Sequence, residues 1–274
     1  MKSAEEKNVG CELPEIGAIT GIRGGHILWN YFESFLAPLG LSKKSVGVVT
    51  AEFAGKFSGR DVSVKLFHRR QSRYFGSRDH MSRFRIFQGL DLTVSIPVAV
   101  KTRAVIGTRV GGSGLLRKFL LWLAGRKGSH LVTCNHPLFR AMDVFAHDET
   151  WMNHFLVDPV TLDLLQDLMN ETMLLVSWSV KFIPGKMIVN RRLSSLALTN
   201  AESMETQLNQ IISLAEMAES KPVGKEIQLT EIERLQKKSP ARAIALAGLR
   251  LLGLIVVSFI LLIGIPFSLV LWFR

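Results

Sequence analysis

The stretch from Leu251 to Phe273 constrains this chain most, because it runs 23 residues without one charged side chain. As a helix rising ~1.5 Å per residue it would be about 34 Å long, against roughly 30 Å for the hydrocarbon core of a bilayer. A core helix of that length would carry a polar stripe, whereas this run offers only Ser258 and Ser268. The expectation is one transmembrane helix over 251–273, with Pro266 inside it as membrane helices tolerate.

Lys237, Lys238, Arg242 and Arg250 precede the run and only Arg274 follows it. That excess of cations places the N-terminal side in the cytoplasm, with Trp272 and Phe273 as aromatic anchors at the far interface. The expected topology is a tail-anchored, single-pass protein of the cell membrane with a cytosolic body. Residues Met1 to Glu15 contain no apolar run, which predicts no cleaved signal peptide. Cys11 and Cys134 stand far apart without a CxxC, so neither a disulfide framework nor a zinc ribbon is expected, and a reducing compartment fits.

The rest of the chain has the composition of a folded domain, 47 % hydrophobic and 21 % charged. Its formal net charge of +11 attracts anionic lipid, nucleic acid or acidic proteins. A body tied to a bilayer meets anionic headgroups first, so the lipid bilayer ranks above nucleic acid, with another protein as the further partner.

Period and punctuation give the body an α+β class: antiparallel β-hairpins packed with helices. His26 to Pro38 reads as a helix with Ile27, Tyr31, Ser34 and Phe35 on one face. Val46 to Phe57 and Val62 to His68 alternate with period two around Ser58-Gly59-Arg60-Asp61, a hairpin. Asp91 to Val100 alternates strictly, and Pro97 in it implies an edge or a bulge. Lys101 to Arg109 continues as a strand, and Leu115 to Leu123 reads as a short helix.

Asp158-Pro159 opens a further helix, an N-cap acceptor followed by proline. Leu174 to Phe182 and Lys186 to Arg191 read as strands joined at Pro184-Gly185. Thr199 and Glu202 form a capping-box pattern before a helix striped with Met204, Leu208, Ile211, Ala215 and Ala218. The organisation is an N-terminal helical segment (1–45), an α+β domain (46–219), a charged juxtamembrane linker (220–250) and the span (251–273).

Around the first hairpin, Gly55, Phe57, Gly59, Arg60 and Val62 match a G-x-[FY]-x-G-R-x-[FV] turn between two strands. This resembles uncharacterised bacterial membrane-associated proteins of the DUF3137 type, and Pro137 to Leu165 is similar to the strand and helix start that follow there. The resemblance implies a fold and a membrane location but no reaction.

The densest candidate site is cationic. Arg60, Lys65, Arg69, Arg70, Arg73, Arg78, Arg83 and Arg85 face only Asp61 and Asp79 over 26 residues, with Tyr74, Phe75 and Phe84 between them. Such a pattern suits anionic lipid or nucleic acid, and a solvated loop is the plain alternative. Leu115 to Lys127 adds Arg117, Lys118, Arg126 and Lys127 around Phe119 and Trp122, a composition fit for a membrane interface or for a core helix with exposed ends.

The acids Asp143, Asp148, Glu149, Asp158, Asp163, Asp167 and Glu171 fall in a stretch without lysine or arginine and call for an offsetting cation. Gly111 to Gly114 lacks both the P-loop and the dinucleotide fingerprint, and no GxSxG elbow occurs. His130, Cys134, His136, His147 and His154 lack metal-site spacing. No cofactor is indicated. The expected function is a non-enzymatic membrane-anchored domain that binds a partner protein or the anionic surface. A membrane-bound enzyme whose residues meet only in the fold is the alternative.

Overall fold

A computed structural model describes residues 24–75, 82–109, 128–170, 178–193 and 200–229, with Arg234 and Ser239. Two compact units emerge, Met1–Ile227 and Gln228–Arg274. In the second, Arg234 donates to the Leu229 carbonyl at 2.9 Å and to Gln228 Oε1 at 3.0 Å. The first is an α+β body.

Its elements are α1 (Gly24–Leu36), β1 (Leu41–Val46), β2 (Thr50–Phe57), β3 (Arg60–Phe75), β4 (Ser82–Pro97), β5 (Ala104–Thr108) and β6 (His130–Leu131). A 3-10 turn (Pro137–Ala141) leads to β7 (Met142–Ala146), α2 (Glu149–Val157), α3 (Pro159–Asn170), β8 (Ser179–Ile183), β9 (Lys186–Leu193) and α4 (Ala201–Ser220). The strands form one sheet in the order β1-β2-β3-β4-β9-β8-β5-β7-β6, with each pair antiparallel.

The expected first hairpin forms, with its turn reduced to Ser58 (φ 47°) and Gly59 (φ 77°). Two successive positive φ angles make the tight connection whose twist matches the strands. Period-two alternation then drives one face of the whole sheet inward. Phe53, Val64, Val94, Val189, Val180, Ile106 and Val144 are cross-strand partners in a continuous row over seven strands. All seven are buried, each contributing about 1.5–3 kcal/mol relative to exposure.

The helices supply the other side of that core. Trp151 of α2 stacks on Phe155 at 5.5 Å and meets Phe182 of β8 edge-on at 5.2 Å. Its indole N–H donates to the Ala218 carbonyl of α4 at 3.2 Å. The expected α4 stripe, Met204, Leu208, Ile211, Ala215 and Ala218, is buried throughout. Its cap lies one residue later than the Thr199 pattern: Asn200 Oδ1 accepts from Ser203 N at 2.7 Å, and Ser203 Oγ from Asn200 N at 3.2 Å.

Helix α1 turns a neighbouring face inward from the one expected. Leu28, Trp29, Phe32, Phe35 and Leu36 are buried while Ile27 is 40 % exposed. The Trp29 indole N–H donates to the Gly47 carbonyl at 3.0 Å, which ties the buried face of the helix to the turn after β1. Where the turn after α1 crosses β2, only glycine fits at position 55, since a Cβ would lie 1.9 Å from the Gly40 oxygen.

Among the described residues no helix is long and apolar enough to cross a membrane. The expected span at 251–273 lies outside the described residues, as do the 115–123 helix and the first part of the 174–182 strand.

Strands β3 and β4 outrun their neighbours. Strand β2 flanks β3 only as far as Phe67, and β9 flanks β4 only from Leu90. Beyond that line, Arg70 to Phe75 pairs only with Ser82 to Phe87, among the described strands. The result is a two-stranded ribbon projecting about 20 Å at ~3.4 Å per residue.

Candidate anionic-surface site

The ribbon gathers part of the basic cluster into regular structure. Its base is a bulge: Arg69 pairs with Gly89 and Arg70 with Phe87, leaving Gln88 extra, and Gly89 takes φ 122°. A bulge here sharpens the local twist and swings the ribbon relative to the sheet. Further out Ser72 stands opposite Arg85, Arg73 opposite Phe84 and Tyr74 opposite Arg83, so each of these arginines is paired with a serine or an aromatic and not with another cation.

At the base the cations are held by short-range contacts. Arg69 Nε lies 3.8 Å from Asp91 Oδ2, and Arg192 Nε donates to Asp91 Oδ1 at 2.8 Å. Arg70 donates through Nε to His68 Nδ1 at 3.0 Å and through Nη2 to the Val48 carbonyl at 3.3 Å.

His68 is buried to 1 % exposure on the helix-covered face. Burial, reinforced by the Arg70 charge, lowers its pKa to about 4 from 6.5. The unfolded chain binds a proton in that window that the fold refuses. Stability is therefore full above pH 6.5 and falls as pH drops toward 4, by about 3 kcal/mol in all. Urea titration of the full chain at pH 7.5, 6, 5 and 4.5 will show the slope, and His68→Leu will flatten it.

Two members of the sequence cluster stand apart from the ribbon. Arg60, at the opposite end of β3, donates to Glu219 at 3.1 and 2.8 Å. That hydrogen-bonded pair raises the Arg60 pKa and lowers that of Glu219, which also accepts from Ala99 N at 2.8 Å. Lys65 pairs with Glu52 at 3.2 Å on the sheet face away from the helices. The structure thus brings Arg69, Arg70, Arg73, Arg83 and Arg85 together. Arg78, Arg117, Lys118, Phe119, Trp122, Arg126, Lys127 and Trp272 lie outside the described residues.

The acidic stretch finds its partners elsewhere. Asp143 accepts from Arg109 Nε at 3.2 Å, and Asp158 pairs with Lys221. Asp148 caps α2 through Trp151 N at 3.0 Å and also takes Gly224 N at 2.7 Å and Lys225 N at 2.8 Å. Burial pulls its pKa upward, but those three N–H donors and the Lys225 charge outweigh it and hold the carboxyl below its usual range.

Residues 221–227, expected as the start of a linker, are consequently a strap fastened to the body. Ile227 N donates to the Lys101 carbonyl at 2.7 Å, and Lys101 Nζ lies 3.2 Å from Glu226. Sequence reasoning missed the strap because its bonds use backbone N–H groups, which leave no side-chain pattern.

A cavity of about 400 Å³ lies beside this strap, lined by Asn153, His154, Val157, Asp158 and Lys221. Its two charged walls are already paired with each other. His136 serves as a cap, its Nδ1 accepting from Leu138 N at 3.3 Å. Among the described residues no group of histidine, cysteine, aspartate and glutamate could hold a metal ion.

No protein-family model and no curated protein matches the chain. Among solved structures, it is similar to the crystal structure of the mycobacterial trehalose monomycolate transport factor A, TtfA, at 8 % identity and a TM-score of 0.43. That likeness covers 71 % of this chain and 96 % of the other.

Proposed function

We propose that this chain is a membrane-tethered cytosolic domain whose projecting β3–β4 ribbon binds an anionic lipid surface. The observation that carries this is the ribbon itself. Arg70, Arg73, Arg83 and Arg85 lie on a two-stranded projection with Arg69 at its base, and its paired residues 70–75 and 82–87 include no acid. The uncharged run at 251–273 and its basic flank supply the tether in this reading, from sequence alone.

The two attachments belong to opposite ends of the sheet. Ile227, the last strapped residue, is fastened beside Lys101, beyond the end of β4, whereas the ribbon begins at the other end of that strand. In this reading the ribbon is a second point of attachment.

Hydrogen exchange on the full chain tests this. Reconstituted in vesicles of phosphatidylcholine with 30 mol % phosphatidylglycerol, the amides of 69–75 and 82–89 should exchange several-fold more slowly than in pure phosphatidylcholine. The protection should vanish in 0.5 M salt. Each arginine near such a surface contributes about 1 kcal/mol, so Arg83→Glu with Arg85→Glu costs at least ~2 kcal/mol and abolishes it. Equal exchange in both lipids refutes the proposal, and protection by a duplex oligonucleotide in neutral vesicles would move the site to nucleic acid.

A further inference from the structure

The turn between β1 and β2 sits at the base of the ribbon, where β2 stops flanking β3. It exposes two apolar side chains, Val46 at 40 % and Val48 at 64 %. Three hydrogen bonds hold this exposed turn in shape. Gly47 N donates to the Thr50 carbonyl at 2.7 Å, the Trp29 indole to the Gly47 carbonyl at 3.0 Å, and Arg70 Nη2 to the Val48 carbonyl at 3.3 Å.

A rigid turn that displays valines to water beside arginines is a poor solvent surface and a good interfacial one. Lys44, 66 % exposed and 3.8 Å from Glu52, lies on the same hairpin. By register the ribbon carries Arg70 at its base, Arg85 opposite Ser72 and Arg83 opposite Tyr74, so a headgroup surface meets most cations when the ribbon lies flat on it. Lying flat brings its base, and the turn, down to the same level.

We infer that Val46 and Val48 form an apolar wedge that enters the anionic bilayer beside the ribbon. This rests on the ribbon binding lipid: the cations bring the surface close and the valines then enter it. The site is an assigned insertion point, distinct from the expected span at 251–273.

The test uses the full chain with Cys11→Ser and Cys134→Ser and an environment-sensitive fluorophore on Val48→Cys. In vesicles with 30 mol % phosphatidylglycerol the emission should shift to the blue, gain several-fold in intensity and be quenched by spin-labelled acyl chains. In pure phosphatidylcholine it should remain that of an aqueous probe. The same label on Val157→Cys, a site 76 % exposed beside Lys221, should be unchanged in both lipids.

Introducing Arg83→Glu and Arg85→Glu should remove the Val48 response. An aqueous Val48 probe while the ribbon amides are protected overturns the wedge and leaves the ribbon proposal standing. Absence of both signals overturns both, and an equal response at Val157 overturns a local insertion.

Discussion

Trp151→Ala is expected to lower the unfolding free energy of the body by about 3–5 kcal/mol, a large share of the 5–15 kcal/mol typical of a domain. The indole is fully buried and joins three elements: the α2 ring Phe155, the β8 ring Phe182 and the α4 carbonyl of Ala218. Truncation opens a cavity at the point where the helices meet the sheet, and it strands that carbonyl. Trp151→Phe keeps the ring contacts and loses the hydrogen bond, so it should cost less than half as much. Urea unfolding followed by far-ultraviolet circular dichroism separates the two variants. An alanine variant within 1 kcal/mol of the parent would mean that this junction does not hold the helices on the sheet.

Asp148→Ala should cost about 3 kcal/mol, because a helix cap and two charge-assisted bonds to the strap disappear together. The side chain is 2 % exposed, so the N–H groups of Trp151, Gly224 and Lys225 lose their acceptor with little water to replace it. Asp148→Asn keeps an oxygen for one or two of these bonds and should fall between the parent and alanine. The local signature is as useful as the global one: limited trypsin digestion after Lys225 should accelerate at least tenfold in the alanine variant under native conditions. The carboxylate's lowered pKa adds a sign. This stabilisation is present above the ordinary carboxylate range near pH 4 and is lost as pH falls through the folded-state value. A strap equally protected in the parent and in Asp148→Ala would show that Lys101 and Glu226 hold it without the carboxylate.

Local periodicity carried much of the fold. Phe53, Val62, Val64, Leu66, Leu92 and Val94 alternate with polar neighbours, and that pattern alone assigns them to an inward sheet face. The α4 stripe was equally plain, because residues three and four apart share a helix face whatever surrounds them. The inward face of α1 was less legible: Ile27 and Leu28 are both apolar, and the buried face is the one that carries Leu28, Phe32 and Leu36 and lets Trp29 bond Gly47, 18 residues away. The length of β3 and β4 was hidden as well, since serines and arginines at 69–73 break the hydrophobic pattern while the strand hydrogen bonds continue.

The candidate site divides along the same line. Its residue types were visible as a run of arginines and aromatics, and the apolar stretch at 251–273 was visible as a run without charge. Arg60 and Arg83 look alike in that run, yet one is tied to Glu219, 159 residues away, and the other stands on a projecting ribbon. By itself the sequence determined an α+β body, a basic cluster and a separate apolar stretch, because each is written in neighbouring residues. Only the tertiary structure decided which cations are held in ion pairs, where the ribbon leaves the sheet and how the strap is fastened. Those outcomes depend on strand register and on backbone N–H partners far apart in the chain, and neither leaves a local mark in the order of side chains.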